Sequence, residues 1–571
     1  QQELKHLRTR CGKVYALGNN RFRAVVQTTP VHEFDAATHQ WVELSAEKRQ
    51  QMAAQAHSPI ATFADNSADS AAGILDTYVK EGSTQNFSHD ERLWISNTNY
   101  YGNRLTYLKV VDLPRLGANH FITSAKLCVR NVYAPTADTA IMCKEVLEDW
   151  DPETITYDHQ PDVSGVYQDY CRVLKNQYSW KEFDVTSLAR KWYLGENHGV
   201  QLSAPKSESS FSQLHSSETA NQPYFVLEYA SLAGLESYLT YDHQSAGLAG
   251  TGSVSLVNGN LIFSHADTAM NGNRLPVSVT HYYNSCDSDK DEFGMGYGWR
   301  TSLHQTLHKV LYNGEVEFVY TDGDGTEHFF KKNDSDQKKH SDQSGLSLTL
   351  EIGDENITIT DKGDNVMTFP LVSDTPTEDA PETGKALIQK IQDAVGNEVT
   401  VTALADSPLK IASVTDGAGR VTTFHYTDGR CDRIQTPWQD AEICIRFKYA
   451  NGALVKIRHE DNRASEYIYN EEIGYHLLKK AYGADGASVE YAYTNTGKNR
   501  VDGLPHCITH AIVTGTKDGT TLTAANVSYT YGNHMALVKN EISGKTLRYH
   551  FNDDGNQVSV DDELGYAMYT R

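Results

Sequence analysis

The sequence predicts an all-β protein, a jelly-roll-like β-sandwich followed by a long sheet of repeated hairpins. Tyr outnumbers Phe, 33 to 17, and Gly far exceeds Pro, 41 to 15. Together with Asp and Asn, that is the mixture many short strands and tight turns require. Apolar and polar residues alternate in run after run. From residue 301 onward, extended runs ending in Tyr or Phe recur around Asp/Asn-Gly turns.

A chain of 571 residues exceeds one core, and length alone suggests about three or four domains. The formal charge is −23, from 51 Lys+Arg against 74 Asp+Glu, which disfavours a nucleic-acid or anionic-membrane partner. Without a run of roughly 18 apolar residues there is no membrane span. The opening QQELKHLRTR lacks the apolar core of a signal peptide. The eight cysteines form no C-x-x-C pair and no metal-ligand spacing, so they read as buried free thiols with room for one or two disulfides.

Residues 1–70 form an N-terminal hairpin segment and linker. Lys13 to Ala24 and Val31 to Leu44 each read as strand, turn, strand. A lone hairpin is marginal in water, so this segment should dock on a neighbour. Trp41 is read as a packing residue, and Ser45 to Ser70 as the linker.

Residues 71–232 carry about nine strand-like runs, jelly-roll size. Only Val185 to Gly195 has apolar residues at helical spacing. The segment resembles the DNRLRE domains, a carbohydrate-binding-module-like family of sandwiches. The resemblance rests on Asp76-Thr77-Tyr78-Val79, Arg104-x-x-Tyr107-Leu108-Lys109, Ile122 to Leu127, Trp150, the TITYDHQP run, Phe183-Asp184-Val185-Thr186 and Trp192-x-x-Gly195. It implies a glycan or cell-wall polysaccharide as partner. Sugar recognition needs an aromatic plate beside a few directed polar groups. Tyr100 and Tyr101 in an inter-strand loop, Arg104 beside them, and Tyr167, Tyr170 and Trp180 in a long loop before the closing strands are the candidates. Arg104 could meet a uronate or sulfate, or pair internally with Asp112 or Asp184. Trp150 and Trp192 read as core.

Residues 233–300 are a linker, Ala233 to Leu248, and an opening motif. The stretch Gly250 to Arg300 contains V-x-L-x-x-G-N-L, then L-P-V-x-V-T-x-x-Y-N-S, then F-G-x-G-W-R, and so resembles the start of RHS/YD-repeat shell proteins. Its Gly and Trp residues suit a plug that closes the first turns of a shell. Asp287, Asp289, Asp291 and Glu292, and likewise Asp322 and Asp324, stand at alternate positions as in a calcium loop. They read better as solvated acidic turns, with structural Ca2+ as the weaker alternative and no other cofactor.

Residues 301–571 repeat: Tyr426, Tyr449, Tyr469 and Tyr491 lie about 20 to 23 residues apart. The period is similar to YD repeats, which implies a sheet spiralling into a shell that carries or encloses a C-terminal effector, often a toxin, of the same longer polypeptide. Val372 to Lys385, acidic and Pro-bearing, reads as a mobile surface loop. The D-P-x-G motif that closes bacterial cores is missing, so the resemblance implies part of a longer protein.

No G-x-S-x-G elbow, H-E-x-x-H or phosphate-cradling loop is present. With those motifs absent, the two resemblances imply a non-enzymatic, secreted or cell-surface bacterial protein, similar to wall-associated and polymorphic-toxin RHS proteins. The competing readings are a polysaccharide-degrading enzyme with a binding module, and a purely structural surface protein.

Overall fold

The computed structural model describes residues 73–569 apart from short stretches, the longest at 114–119, 378–381 and 497–505; before residue 73 it describes only the backbone of four strands. The chain is nearly all strand. Its one α-helix among the described residues is Thr186–Tyr193, where the helical spacing of Leu188 and Trp192 predicted it. No described helix is long and apolar enough to cross a membrane. The chain divides into two compact units, one of Gln1–Ala16, Phe22–Leu116 and Ile122–Tyr229, the other of Leu17–Arg21, Gly117–Phe121 and Ala230–Arg571.

The first unit has a five-stranded and a seven-stranded sheet. The expected N-terminal hairpin, Val14–Gly18 and Arg21–Gln27, extends the five-stranded sheet beside Tyr224–Ser231, which solves its lack of a core of its own. The second hairpin pairs His32–Asp35 with Gln40–Glu43; Trp41's side chain and the 45–70 linker lie outside the described residues. The helix spans the two sheets. Trp192 packs on Phe225 of the five-stranded sheet at 5.9 Å, and Lys191 reaches Glu145 of the seven-stranded sheet at 2.8 Å. Trp150 is only half-buried; it leans on Tyr107 and donates its indole N–H to the His198 carbonyl at 2.8 Å, as a packing residue would.

The second unit begins with a five-stranded sheet: Tyr241–Ser245, Thr251–Ser255, Leu261–Ala269, Ser278–Asn284 and Trp299–Thr301. Ala233 to Leu248 is thus no loose linker. Leu239, Ala246 and Ala249 are buried in the unit's main core, and that burial outweighs the weak local pattern. From Thr306 onward a 24-stranded sheet follows in sequential order. Seven strands in, it turns back on itself: Lys390–Gln392 pairs with Val366–Pro370, while Ala386–Leu387 pairs with the first strand, Thr306–Tyr312. The segment before this closure differs from the expected surface loop. Val372 is buried, Glu382 bridges to Val310, and the Thr383 amide donates to the Lys309 carbonyl at 3.0 Å; residues 378–381 lie outside the described residues.

The repeat has a physical basis in tyrosine hydroxyls. Tyr426, Tyr449, Tyr469, Tyr493 and Tyr531 donate to the carbonyls of Ile411, Cys431, Leu454, Leu478 and Ile508 at 2.6 to 2.9 Å. In register, Cys431 stands opposite Tyr426, Leu454 opposite Tyr449, Leu478 opposite Tyr469 and Ile508 opposite Tyr493. From Tyr449 onward each hydroxyl therefore binds the residue paired with the preceding ladder tyrosine, while Tyr426 begins the series on Ile411, which pairs with Ala403. A register shift falls immediately before each of these four tyrosines, and the hydroxyl supplies a partner where the bulge disrupts the strand ladder. The period read from the sequence named Tyr491; the ladder uses Tyr493. The Asp428-Gly429 and Asn451-Gly452 turns have positive φ at both residues, as a tight hairpin demands.

Aromatic residues two positions before the ladder tyrosines meet the five-stranded sheet. Phe447 lies 4.9 Å from His281 and Tyr467 5.1 Å from Trp299, ring to ring. Tyr467 donates to the Ala249 carbonyl at 2.9 Å, Tyr491 approaches Gln244, and Tyr529 donates to Asp242. Trp299 in turn donates its indole N–H to the Tyr469 hydroxyl at 2.8 Å. Main-chain bonds from Cys431 to Gly294, Tyr297 to Gly452 and Ile508 to Gly259 complete the seam. Gly252 is required here, because a Cβ would stand 1.8 Å from the Tyr491 hydroxyl. Gly250 to Arg300 is thus an internal plug over which later hairpins are laid.

Inside the plug, Asp267 accepts from His265 Nδ1 at 2.7 Å and from His281 Nδ1. Burial alone would raise this carboxyl, but the two imidazoles outweigh it and hold it down at about 2. His304 is the opposite case. Its Nδ1 accepts the Thr301 amide at 3.1 Å and its ring lies 4.6 Å from Phe293, so this geometry suits only the neutral ring. Burial, then the nearby Arg300 and His281, push its proton affinity well below that of a free histidine. The seven described cysteines are free, four of them buried.

Two expectations follow. Tyr469→Phe leaves the Leu454 carbonyl without its donor and the Trp299 N–H without its acceptor; denaturant titration should show a loss of about 1–3 kcal/mol. Because folding lowers the His304 pKa, its contribution is present above about pH 6.5 and lost as pH falls below that value. Thermal unfolding of the second unit should shift down between neutral pH and about pH 5, and His304→Gln should shrink that shift.

Candidate functional site

The site is built at one end of the seven-stranded sheet, where Arg92–Thr98 and Gly102–Val110 form a hairpin closed by Asn99, Tyr100 and Tyr101. Gly102, at φ 70°, takes the left-handed conformation that a three-residue hairpin loop needs. Along Arg92–Thr98, Leu93 and Ile95 are buried while Trp94 between them is half-exposed. Phe211 at the start of Phe211–His215 stands opposite Ser96 on the same face.

These placements make an aromatic platform. Tyr101 stacks on Phe211 with centroids 4.4 Å apart and planes 16° from parallel, and Trp94 lies 5.4 Å from Phe211 and 5.7 Å from Tyr101. The Arg104 guanidinium sits 4.1 Å above the Trp94 ring, and its Nε donates to the Tyr101 carbonyl at 3.3 Å. Tyr100, 86 % exposed, meets Tyr101 edge-on at 4.7 Å. Flat faces of half-exposed rings beside a guanidinium can stack on the C–H face of a sugar while donating to its oxygens.

Tyr100, Tyr101 and Arg104 therefore come together as a group, and Trp94 and Phe211 join them. The last two were missed because they sit inside strands, although the alternation in Leu93-Trp94-Ile95 already turns Trp94 away from its buried neighbours. Arg104 does not pair with Asp184, whose carboxylate accepts from the Thr186 amide and hydroxyl; Asp112 lies outside the described residues. Tyr167 and Tyr170 are not in a loop. They lie on Val163–Val173, an edge strand paired with Thr139–Val146, whose bulged register and mostly exposed residues hid the period. Lys144 lies 5.1 Å from the Tyr167 ring. Trp180 starts Trp180–Asp184 on the five-stranded sheet, edge-on to Tyr224 at 4.9 Å.

The acidic residues read as calcium candidates are held largely by protein donors. Asp287 meets Lys290 and Arg300 at 3.2 and 3.3 Å, and Asp291 meets Arg430 at 2.9 Å. Asp289 is exposed. Asp322 accepts the Asp324 and Thr326 amides and faces His328 at 3.1 Å, while Asp324 accepts the Thr326 hydroxyl and the Leu235 amide. Among the described residues no group of three or more His, Cys, Asp or Glu side chains is arranged to hold a metal ion.

Arg104→Ala removes a half-exposed cation–π contact worth about 0.5–1 kcal/mol, so thermal unfolding of the first unit should change only slightly. A larger fall would show that the guanidinium serves the fold.

Residues 67–229 match the family described as carbohydrate-binding module family 96, which agrees with the carbohydrate-binding-module kinship without reaching the finer DNRLRE assignment. Residues 251–330 match DUF6531, a domain of unknown function found in RHS/YD-repeat proteins. No curated protein compared with the chain matches it. Among solved structures, a porin-like protein from Bacteroides uniformis ATCC 8492 is 16% identical over 40% of this chain and 96% of its own, with a TM-score of 0.18. TcdB2-TccC3 without its hypervariable C-terminal region is 7% identical over 53% of this chain, which spans 23% of it, with a TM-score of 0.18. Scores this low carry no argument about the fold. The chain thus joins a segment similar to carbohydrate-binding module family 96 to one similar to the DUF6531 domain.

Proposed function

We propose that the protein is a non-enzymatic, secreted or cell-surface glycan binder whose second unit is a carrier of the RHS/YD-repeat kind, serving a C-terminal effector of the same longer polypeptide. The observation that carries the binding half is the half-exposed platform of Trp94, Tyr101 and Phe211 under Arg104, set within the segment similar to a carbohydrate-binding module. Tyr101 and Phe211 stack on each other and Arg104 lies on Trp94, yet all stay half-exposed and leave ring surface that a sugar can cover. The carrier half draws support from the DUF6531 match and from the sequential hairpins laid over a buried plug. An effector module in the same polypeptide is what this half requires.

Isothermal titration of the full chain with a soluble neutral β-glucan and with a polyuronate tests the binding half. Tyr101→Ala should weaken the binding found by roughly tenfold, about 1.4 kcal/mol, without release of reducing ends from either polymer. Release abolished by a single carboxylate substitution would make the protein a polysaccharide-degrading enzyme instead.

A further inference from the structure

We propose that the glycan site does not end at the platform but runs along Phe211–His215 to a second cluster around Tyr178, so that the first unit binds an internal stretch of an extended polysaccharide chain. The inference rests on the glycan-binding reading and deepens it.

Phe211, Gln213 and His215 alternate onto one face of their strand. Phe211 belongs to the platform. At the other end, His215 Nε2 lies 3.0 Å from the Tyr178 hydroxyl. Tyr178 is 44 % exposed, and the Arg130 guanidinium lies 4.5 Å above its ring and 5.9 Å from the ring of Trp180. Two half-exposed clusters of the same make-up, rings with a guanidinium against them, therefore flank one strand. Between them the face is polar: Gln213, opposite Trp94, is buried, and Arg92, the exposed cross-strand partner of His215, donates to its Oε1 at 3.4 Å, so Arg92 is the group a ligand meets there.

Four residue steps of extended strand lead from Phe211 to His215, a span of about 13 Å. A single sugar ring cannot bridge that distance, whereas an oligosaccharide lying along the strand can. Such a ligand would lay rings over Tyr101 and Tyr178 and present hydroxyl or acidic oxygens to Arg104, Arg92 and Arg130 between them. Burial, then Arg130 and Arg92, lower the proton affinity of His215, so its ring adds a hydrogen-bonding group without a charge.

The test titrates the full chain with cello-oligosaccharides and with oligogalacturonides, each from disaccharide to hexasaccharide. In the series that binds, affinity should rise at least tenfold from disaccharide to hexasaccharide. Tyr178→Ala should cost the hexasaccharide about tenfold and leave the disaccharide unchanged, while Tyr101→Ala weakens both. Tyr178→Phe, which keeps the ring, should retain hexasaccharide binding and guards against a folding artefact. Equal affinity for short and long ligands, or indifference to Tyr178→Ala in a folded variant, would overturn the extended site and leave the platform standing. No binding in either series would overturn the glycan reading together with this one.

Discussion

The second unit depends on one recurrent bond, a tyrosine hydroxyl donating to the carbonyl of the residue paired with the tyrosine before it. Tyr449 to Cys431, Tyr469 to Leu454, Tyr493 to Leu478 and Tyr531 to Ile508 are the same bond four times over. Its constraint is strict. Phenylalanine would fill the space but leave the carbonyl without this donor, and a bulge stands just before Tyr449, Tyr469 and Tyr493, though not before Tyr531. Because each hairpin is tied to the one before it, stability propagates by nearest neighbours, as in other repeat architectures.

A sheet built this way still needs something beneath it, since a single layer leaves its inner face to water. The plug supplies that face with aromatic and histidine rings, with close-approach glycines such as Gly252, and with Asp267 satisfied by two imidazoles. Trp299 shows how the two systems interlock: its ring packs on Tyr467 while its N–H bonds to the hydroxyl of Tyr469, so plug and ladder share one donor and acceptor chain. Buried polar networks of this kind are stable only when complete. His304 marks one pH-sensitive point, because its Nδ1 accepts the Thr301 amide and cannot keep that bond once protonated.

The first unit uses aromatic residues in two distinct ways. Trp192, Phe225, Phe183 and Tyr107 are buried and carry hydrophobic stabilisation. Trp94, Tyr101 and Tyr178 are left partly in water against guanidinium groups, and Phe211 against the Tyr101 ring. Surface rings kept flat by a stacked partner or a cation lose little freedom when a ligand arrives, and that preorganisation suits them to binding.

The all-β class, the helix at Thr186–Tyr193 and the hairpin turns were legible in the sequence, because each follows from local period and turn chemistry, and the plug at Gly250 to Arg300 was legible through its resemblance to the start of RHS/YD-repeat proteins. That Tyr100, Tyr101 and Arg104 lie together was legible for the same reason, since all three belong to one hairpin. What the period could not tell was which of two tyrosines two residues apart, Tyr491 or Tyr493, faces the ladder, since both alternate onto one side and only a bulge separates their roles. Nor could it place Trp94 beside Phe211, return Ala386–Leu387 to Thr306, or give Ala233 to Leu248 a place in the core. Those pairings join residues far apart in the chain, and their energy exists only after the strands have met; local pattern determined what could pair, and tertiary packing decided what did.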